Sequence, residues 1–361
     1  MLLRRLKNSN TSMAMQGPMS MAAHVAAYTE INYQTLLEFF PNAHFNLWAC
    51  HYVIVYYFGK NYLYKAWNNE AYSINDVYIP FWFQNIHPYI LSKRMFEKYY
   101  FIFSTWDGSY VETPFYEGHD FEFRSIASIE EFQVMKRSMP SLLPILHEKK
   151  YFGCASKHKN DPISIAIIDF IFIESKGYDS IKKLMDQSNQ KPFKEKIIFR
   201  GSKSHGSRYN FFNHEFMTMG HREFLYENRS RWSDILDCEL NHVSIPEMCR
   251  YKFILDVDGW TNAWSSLVWK LYSNSVVLKH ESIWQQWYYQ DLKPFEHYVP
   301  IRNDFSDLHE KFQWCINHPL ECELIASNAK RFVVERLNMK SAIRGMQDSL
   351  WMDYFSKYSS F

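Results

Sequence analysis

Residues 251–278 read YKFILDVDGWTNAWSSLVWKLYSNSVVL, and their pattern predicts three elements in succession. The apolar run 253–257 has the length and composition of a buried strand. Apolar residues then recur at the spacing of one helix face, and 275–278 read as a second strand. In such a parallel crossover unit, ligands lie beyond the carboxyl ends of the strands. The stretch therefore predicts an α/β fold with a ligand site at residues 258–266.

Length and composition bound the class of protein. The chain has 361 residues, of which 47% are hydrophobic and 22% are charged, and its formal net charge is +1. This length predicts two domains, and the apolar fraction is sufficient for packed cores. The near-zero net charge argues against binding nucleic acid through bulk charge. Aromatic residues make up 18% of the chain, which favours aromatic cores, with stacking platforms for sugar rings as the alternative.

Cysteine usage and hydropathy predict a cytoplasmic protein. The six cysteines are scattered and form no CxxC pair, so they indicate neither a zinc site nor a disulfide framework. The early apolar run 45–58 is too short to span a bilayer, and no apolar signal core follows the basic residues near the start. We expect no transmembrane segment, while peripheral contact with a membrane is left open.

A glycine- and serine-rich turn follows another predicted strand. Residues 196–208 read KIIFRGSKSHGSR and carry Arg200, Gly201, Ser202 and Arg208. Glycine allows close backbone approach, serine donates hydrogen bonds, and guanidinium groups hold phosphate oxygens. The turn therefore predicts a nucleotide diphosphate site, and the alternative is an ordinary basic loop.

Two carboxylates are candidates for proton transfer. The predicted strand 100–103 is followed by Asp107-Gly108, and a carboxylate just past a strand end is a typical site position in an α/β domain. Asp107 is the candidate general base, and the alternative is that it merely starts a turn. Asp169 lies within the apolar run 163–172, which reads as a buried strand or pair of strands, and there a paired structural aspartate is favoured over a catalytic one.

The C-terminal half resembles glycosyltransferase family 90, which includes animal protein O-glucosyltransferases, fungal capsule-associated proteins and bacterial lipopolysaccharide-modifying A proteins. The matching pieces are Asp258-Gly259, Trp264-Ser265-Ser266, SNSVVLK at 273–279, LKPFEHYVP at 292–300 and the following DFSDL. The turn after residue 199 is similar to the FRGS segment of that family. The resemblance covers residues 193–337 and is thin before them.

The resemblance implies a GT-B fold, with two Rossmann-like domains facing a central cleft. Residues 25–192 are then the acceptor-side domain. The preceding residues 1–24 are rich in Met, Ser and Asn and lack acidic residues, which predicts a mobile tail, with a targeting segment as the alternative. Residues 193–338 are the nucleotide-sugar-binding domain, and the helix of 339–361 returns to the N-terminal domain.

The resemblance also implies an inverting transfer of a sugar, glucose or xylose or similar, from a UDP-sugar to a hydroxyl of a glycan or glycoconjugate. Asp107 is then the general base, and no metal or other cofactor is required. The donor contacts are expected at Arg200, Gly201, Ser202, Arg208, Asp258, Gly259, Trp264, Ser265, Ser266 and Gln286.

Three features leave alternatives open. Ser266 stands where relatives usually have arginine, and Gln286 stands where many have glutamate, although its amide can still bind a ribose hydroxyl. Both departures are consistent with a catalytically inactive relative that binds a nucleotide or glycan. The triplet Asp256-Val257-Asp258 also fits a metal-dependent glycosyltransferase, in which two carboxylates hold a divalent ion against the diphosphate.

Overall fold

The computed structural model describes residues 29–31, 51–57, 60–66, 77–93, 98–104, 152–159, 164–188, 191–203, 209–210, 215–216, 220–259, 261–353 and 355–356. The described residues form two larger β-sheets, one in each half of the chain, and two short antiparallel pairs of strands. One of these pairs is β9 (Tyr209–Asn210) with β10 (Glu215–Phe216). Asp107 and Arg208 lie outside the described residues, so their roles stay predictions.

The first sheet is mixed and has six strands in the order β1-β3-β2-β4-β5-β7. The strands are β1 (Thr29–Ile31), β2 (His51–Tyr57), β3 (Lys60–Ala66), β4 (Lys98–Ser104), β5 (Phe152–Cys154) and β7 (Ser164–Ala166). Strand β2 is antiparallel to both β3 and β4, whereas β4, β5 and β7 are parallel. Helix α1 (Tyr78–Phe81), a π-helical turn (Trp82–Ile86) and helix α2 (His87–Lys93) follow β3 in the chain. Trp82 stacks on Phe101 of β4 at 4.7 Å, which joins this helical segment to the sheet.

The second sheet confirms the predicted parallel unit. Its five strands are all parallel and lie in the order β11-β8-β12-β13-β15. They are β8 (Lys194–Arg200), β11 (Leu236–Glu239), β12 (Tyr251–Asp256), β13 (Val276–His280) and β15 (Val299–Ile301). Helix α7 (Ser266–Tyr272) connects β12 to β13. Most of β12 and all of β13 are buried, as expected of parallel strands covered on both faces.

Further helices cover the second sheet and join it to the first half. They are α3 (Phe170–Glu174), α4 (Asp179–Ser188), α5 (His221–Glu227), α6 (Ile245–Met248), α8 (Leu308–Asn317), α9 (Pro319–Arg336) and α10 (Met339–Asp353). Helix α7 packs on α9 and α4. Helix α10 packs on the π-helical turn, α2 and β7, and Gln347 donates to the carbonyl of Asn85 at 2.7 Å. These contacts join the last described helix to elements of the first half of the chain.

A short antiparallel pair of strands links the two halves. Strand β6 (Lys157–His158) pairs with β14 (Trp284–Gln285), and the Lys159 amide donates to the Ile283 carbonyl at 2.8 Å. The hydroxyl of Ser156 donates to Oδ1 of Asn262 at 2.6 Å, and both residues are buried. The first half is therefore fixed beside the loop that follows β12.

The apolar run 163–172 folds differently from the strand that its composition predicts. Strand β7 ends at Ala166, and the carboxylate of Asp169 caps helix α3 by accepting from the Phe172 amide at 2.8 Å. The hydroxyl of Tyr178 also donates to Asp169 at 2.7 Å. Burial raises the pKa of Asp169 to about 6 despite these hydrogen bonds. Asp169 is thus a paired structural residue, as the sequence favours.

The described residues contain no helix that combines the length and the apolar character needed to cross a bilayer.

Candidate functional site

Two loops lie side by side at the carboxyl edge of the second sheet. Strands β8 and β12 are parallel neighbours, with Ile198 opposite Ile254. The chain leaves β8 into residues 201–203 and leaves β12 into residues 257–259. Since the carboxyl ends of adjacent parallel strands share one edge, the two predicted ligand loops meet there.

Arg222, in the first turn of α5, connects these two loops. Its Nε and Nη2 atoms donate to the Val257 carbonyl oxygen at 3.2 and 3.0 Å, and its Nη1 donates to the Ser202 carbonyl at 3.3 Å. A Cβ atom on Gly201 would lie 3.4 Å from Nη1, and one on Gly259 would lie 3.3 Å from Nη2. Glycine at both positions therefore lets the backbone approach the guanidinium group closely. No local motif marks Arg222, and sequence reasoning did not place it in the site.

Asp258 is buried and held by residues of the next strand and the loop after it. Nε2 of His280 lies 2.9 Å from the Asp258 amide nitrogen and 3.2 Å from its Oδ1, and the Ser282 hydroxyl donates to Oδ2 at 2.5 Å. Burial raises the pKa of Asp258, but His280, Lys279 and Ser282 together lower it by more than burial raises it. The pKa therefore lies well below its usual range. The ionised carboxylate thus anchors the turn at Gly259 to β13.

His221 precedes Arg222 and lies beside this anchor. Its ring centroid is 5.2 Å from that of His280. Burial and the neighbouring His280 lower the pKa of His221 to about 4, against the opposing effect of Asp258. His221 is therefore neutral at neutral pH, and Arg222 supplies the positive charge at this point of the site.

Asp256 and Asp258 of the DxD triplet have different partners. Asp256 forms a buried ion pair with Lys270 of α7, with Nζ and Oδ1 2.6 Å apart. Burial raises the pKa of Asp256, but Lys270 and Lys279 lower it by more, so the net shift is downward. For both aspartates to hold a metal ion, Asp256 would have to leave Lys270.

The guanidinium group of Arg200 is bound to protein groups near the edge strand of the sheet. Its Nη2 lies 2.5 Å from Oδ1 of Asp237 on β11, and its Nη1 donates to the Asp237 and Phe199 carbonyls at 2.8 Å each. The Tyr251 hydroxyl donates to the same Asp237 carboxylate. Arg200 therefore ties the edge strand β11 to β8, and a phosphate contact would require it to change partners. The neighbouring Ser202 hydroxyl lies 2.8 Å from Nε2 of His242.

The remaining predicted residues lie along the loop between β12 and α7 or against it. Trp264 has φ 78° and contacts Phe170 edge-on, with ring centroids 4.9 Å apart. Ser265 and Ser266 stand at the start of α7. Gln286 is buried, and its Nε2 donates to the Asn262 carbonyl, so in this conformation its amide holds the loop.

The family model of glycosyl transferase family 90 matches residues 174–360. Protein O-glucosyltransferase 2 of Danio rerio is 37% identical over 123 residues, which are 33% of this chain and 23% of that protein. Protein 035R of invertebrate iridescent virus 3 is 34% identical over 113 residues, which are 31% of this chain and 10% of that protein. The chain thus spans less than a quarter of the length of each of these two relatives.

Among solved structures, Anabaena HepE in complex with UDP is similar over 48% of this chain and 53% of that one, at 12% sequence identity and a TM-score of 0.30. A likeness at that score carries no inference about fold or ligand.

Proposed function

The chain belongs to glycosyl transferase family 90, and we propose that it transfers a sugar from a UDP-sugar to a hydroxyl group of a glycan or glycoconjugate. The family model covers the whole second sheet and both loops at its carboxyl edge. The relative from Danio rerio is named an O-glucosyltransferase, which makes UDP-glucose the first donor to test. In this proposal the two halves form a GT-B enzyme.

The observation that carries the proposal is the position of Arg222 between Gly201 and Gly259. A nucleotide diphosphate needs positive charge and backbone N–H groups that phosphate oxygens can approach closely. The absence of a side chain at Gly201 and Gly259 lets both loop backbones lie close to the guanidinium group. Arg222 uses three of its donor groups on two carbonyl oxygens, and the five N–H donors of a guanidinium leave others for a ligand.

We assign the chemistry to one displacement. Asp107 takes the proton from the acceptor hydroxyl as the oxygen attacks the anomeric carbon. The bond between that carbon and the β-phosphate oxygen breaks, its electrons remain on UDP, and the configuration inverts. Arg222 and the amides of both loops stabilise the charge that grows on the leaving diphosphate. Arg208 and Ser266 are assigned secondary contacts with the diphosphate.

The protein contacts of the other predicted donor residues define narrower roles. Asp258 shapes the Gly259 turn through His280 and Ser282. Gln286 holds the same loop through Asn262, and its second assigned role is a contact to the ribose. Arg200 reaches the phosphate only if it leaves Asp237.

Two alternative functions are each supported by specific residues. An inactive binding protein is favoured by Ser266 and Gln286, because these residues replace charged groups of the relatives. A metal-dependent transferase is favoured by the DxD triplet, although the Asp256–Lys270 ion pair competes with a metal ion.

A cytoplasmic location is also proposed, since the five described cysteines are free thiols.

The test is UDP release from UDP-glucose, UDP-xylose and UDP-galactose, with and without glycan acceptors and with and without EDTA. Acceptor-dependent release that EDTA leaves unchanged supports the proposal. Release abolished by EDTA supports the metal-dependent alternative. UDP binding without turnover above buffer supports the binding protein.

A further inference from the structure

A cavity opens at the edge of the second sheet opposite the candidate donor loops. It has a volume of about 870 Å³ and lies at the amino ends of β8, β12 and β13, between the sheet and helices α8 and α9. Ligand pockets typically enclose about 300–1,000 Å³. The candidate donor site occupies the carboxyl edge, so the proposed function leaves this cavity without a role.

The deep part of the cavity is apolar. One wall is a face of α9, formed by side chains that recur every three or four residues from Pro319 to Val334. The facing wall contains Phe253 and Val276 from the starts of two strands. Phe253, Val276, Cys322 and Ala326 are all buried. A sugar offers hydroxyl groups that this wall does not match, whereas an alkyl chain fits it.

The mouth of the cavity is cationic. Four basic side chains line the cavity against two acidic ones: Lys191, Lys252, Lys330, Arg331, Glu195 and Glu323. Lys252 and Glu195 lie 2.5 Å apart and neutralise each other. Lys330 lies over the Tyr272 ring at 4.8 Å, and Arg331 donates one hydrogen bond, at 2.8 Å, to Asn328. Of the three basic side chains that remain, Lys330 and Arg331 lie in the C-terminal half of α9, and Lys191 lies before β8.

We propose that this cavity binds an amphiphilic anion with one alkyl chain and a phosphate or carboxylate head group. The chain lies against Phe253, Val276 and Ala326, and the head group meets Lys330 and Arg331. Cys322 and Arg331 are about 13 Å apart along α9 at a rise of 1.5 Å per residue, which suits a medium-length chain. Charge complementarity at one end and an apolar wall at the other select this class of ligand.

Dodecyl phosphate, used below its critical micelle concentration, is the probe for calorimetric titration. We expect saturable binding to the full chain, with inorganic phosphate and dodecanol each binding at least about tenfold more weakly because each supplies only half of the interaction. Arg331→Glu should weaken binding by about tenfold or more. Arg344→Glu, an exposed change on α10, should leave it unaltered. Equal loss in both variants, or no binding to the wild type, overturns the proposal.

A variant that fills the cavity provides a second test of the proposal. Ala326→Phe places a ring inside the cavity and should abolish dodecyl phosphate binding while leaving UDP binding intact, which also reports a folded protein. If Ala326→Phe does not fold, Arg331→Glu still decides the question. UDP binding and turnover are measured separately on every variant, so failure of the transferase assignment and failure of this site remain distinguishable.

A membrane surface is the other source of the same chemistry. Leu320 and Leu324 of α9 are 75% and 61% exposed beside the cavity. Sedimentation with phosphatidylcholine vesicles, with and without phosphatidic acid, tests this source. Vesicle binding that Ala326→Phe leaves unchanged, together with no binding of monomeric dodecyl phosphate, assigns the face to membranes and overturns the cavity proposal.

Discussion

Arg222 donates two hydrogen bonds to the carbonyl oxygen of Val257, at 3.0 and 3.2 Å. Val257 stands between Asp256, the last residue of β12, and Asp258. The same guanidinium reaches the Ser202 carbonyl at the end of the neighbouring strand. One cation therefore holds together the two loops that the sequence predicts as ligand loops. This link makes the geometry of the proposed donor site depend on a helix that carries none of the predicted motifs.

Replacing Arg222 should weaken nucleotide binding. Arg222→Ala removes the positive charge and the link between the loops, so the affinity for UDP should fall by about tenfold or more, the equivalent of one charge-assisted hydrogen bond. Arg222→Lys should retain part of the affinity, because a single ammonium group keeps the charge but cannot reproduce the planar fork. Calorimetric titration with UDP measures both variants. Arg231→Ala, whose guanidinium lies near the Trp232 ring, is the control and should bind UDP as the wild type does.

Arg200 gives a prediction that separates folding from ligand binding. Arg200→Ala removes the bonds to Asp237, so the free energy of unfolding should fall by about 1.5–3 kcal/mol, as for hydrogen bonds to charged groups. The control Glu239→Ala removes a more exposed pair with Arg229, for which about 0–1 kcal/mol is expected. Urea unfolding measures both. Unchanged stability with a large loss of UDP affinity would instead support the phosphate contact predicted from the sequence.

The buried pair of Lys270 and Asp256 should be a strong determinant of stability. Lys270→Met leaves the Asp256 carboxylate buried without its partner, which costs about 3–5 kcal/mol in comparable cases. The double variant Lys270→Met/Asp256→Leu should recover most of that loss, because no unpaired charge remains. Denaturant unfolding with Lys252→Met as the exposed-pair control checks this prediction. A double variant no more stable than the single one would contradict it.

The free energy of unfolding should decrease as the pH is lowered, because His221 titrates. Its folded-state pKa is about 4, below the ordinary value of about 6.5, so the unfolded chain binds more protons between these pH values. The contribution of His221 is therefore complete above about pH 6.5 and is lost as the pH falls to about 4, with a slope of at most about 1.4 kcal/mol per pH unit. His280 and Asp258 face this ring and act in opposite directions on its pKa. Unfolding curves of the wild type and His221→Gln between pH 7 and 4 should differ in slope; parallel curves would contradict the shift.

The local elements of the second sheet were predictable from the sequence because their signals are local. The strand, turn, helix and strand of residues 251–278 follow from apolar periodicity and a glycine turn, and the structure has β12, α7 and β13 there. The apolar run at 163–172 was predicted to be strand throughout, but its last residues begin a helix. Composition alone does not separate a short buried strand from a helix. The cap that Asp169 makes on α3 decides between them.

Contacts between distant residues were not predictable. Arg222 is 35 residues from Val257, and Arg200 is 37 residues from Asp237, so their bonds depend on which strands become neighbours in the sheet. A single sequence does not reveal that order. For the same reason, the sequence predicted that Arg200 binds the ligand but did not reveal that Asp237 competes for its guanidinium group. It also gave no indication that Arg222 lies at the site.

In the proposed reaction, sugar transfer takes place at the edge where Arg222 meets Val257, with Asp107 as the base. Its most direct measurement is UDP release from UDP-sugars in the presence of acceptor, together with UDP affinity, for the wild type, Asp107→Asn and Arg222→Ala. We expect turnover in the wild type. Asp107→Asn should lose about 100-fold or more of this turnover while keeping its affinity for UDP, and Arg222→Ala should bind UDP more weakly. Undiminished transfer by both variants, or no turnover of any donor by the folded wild type, would contradict it.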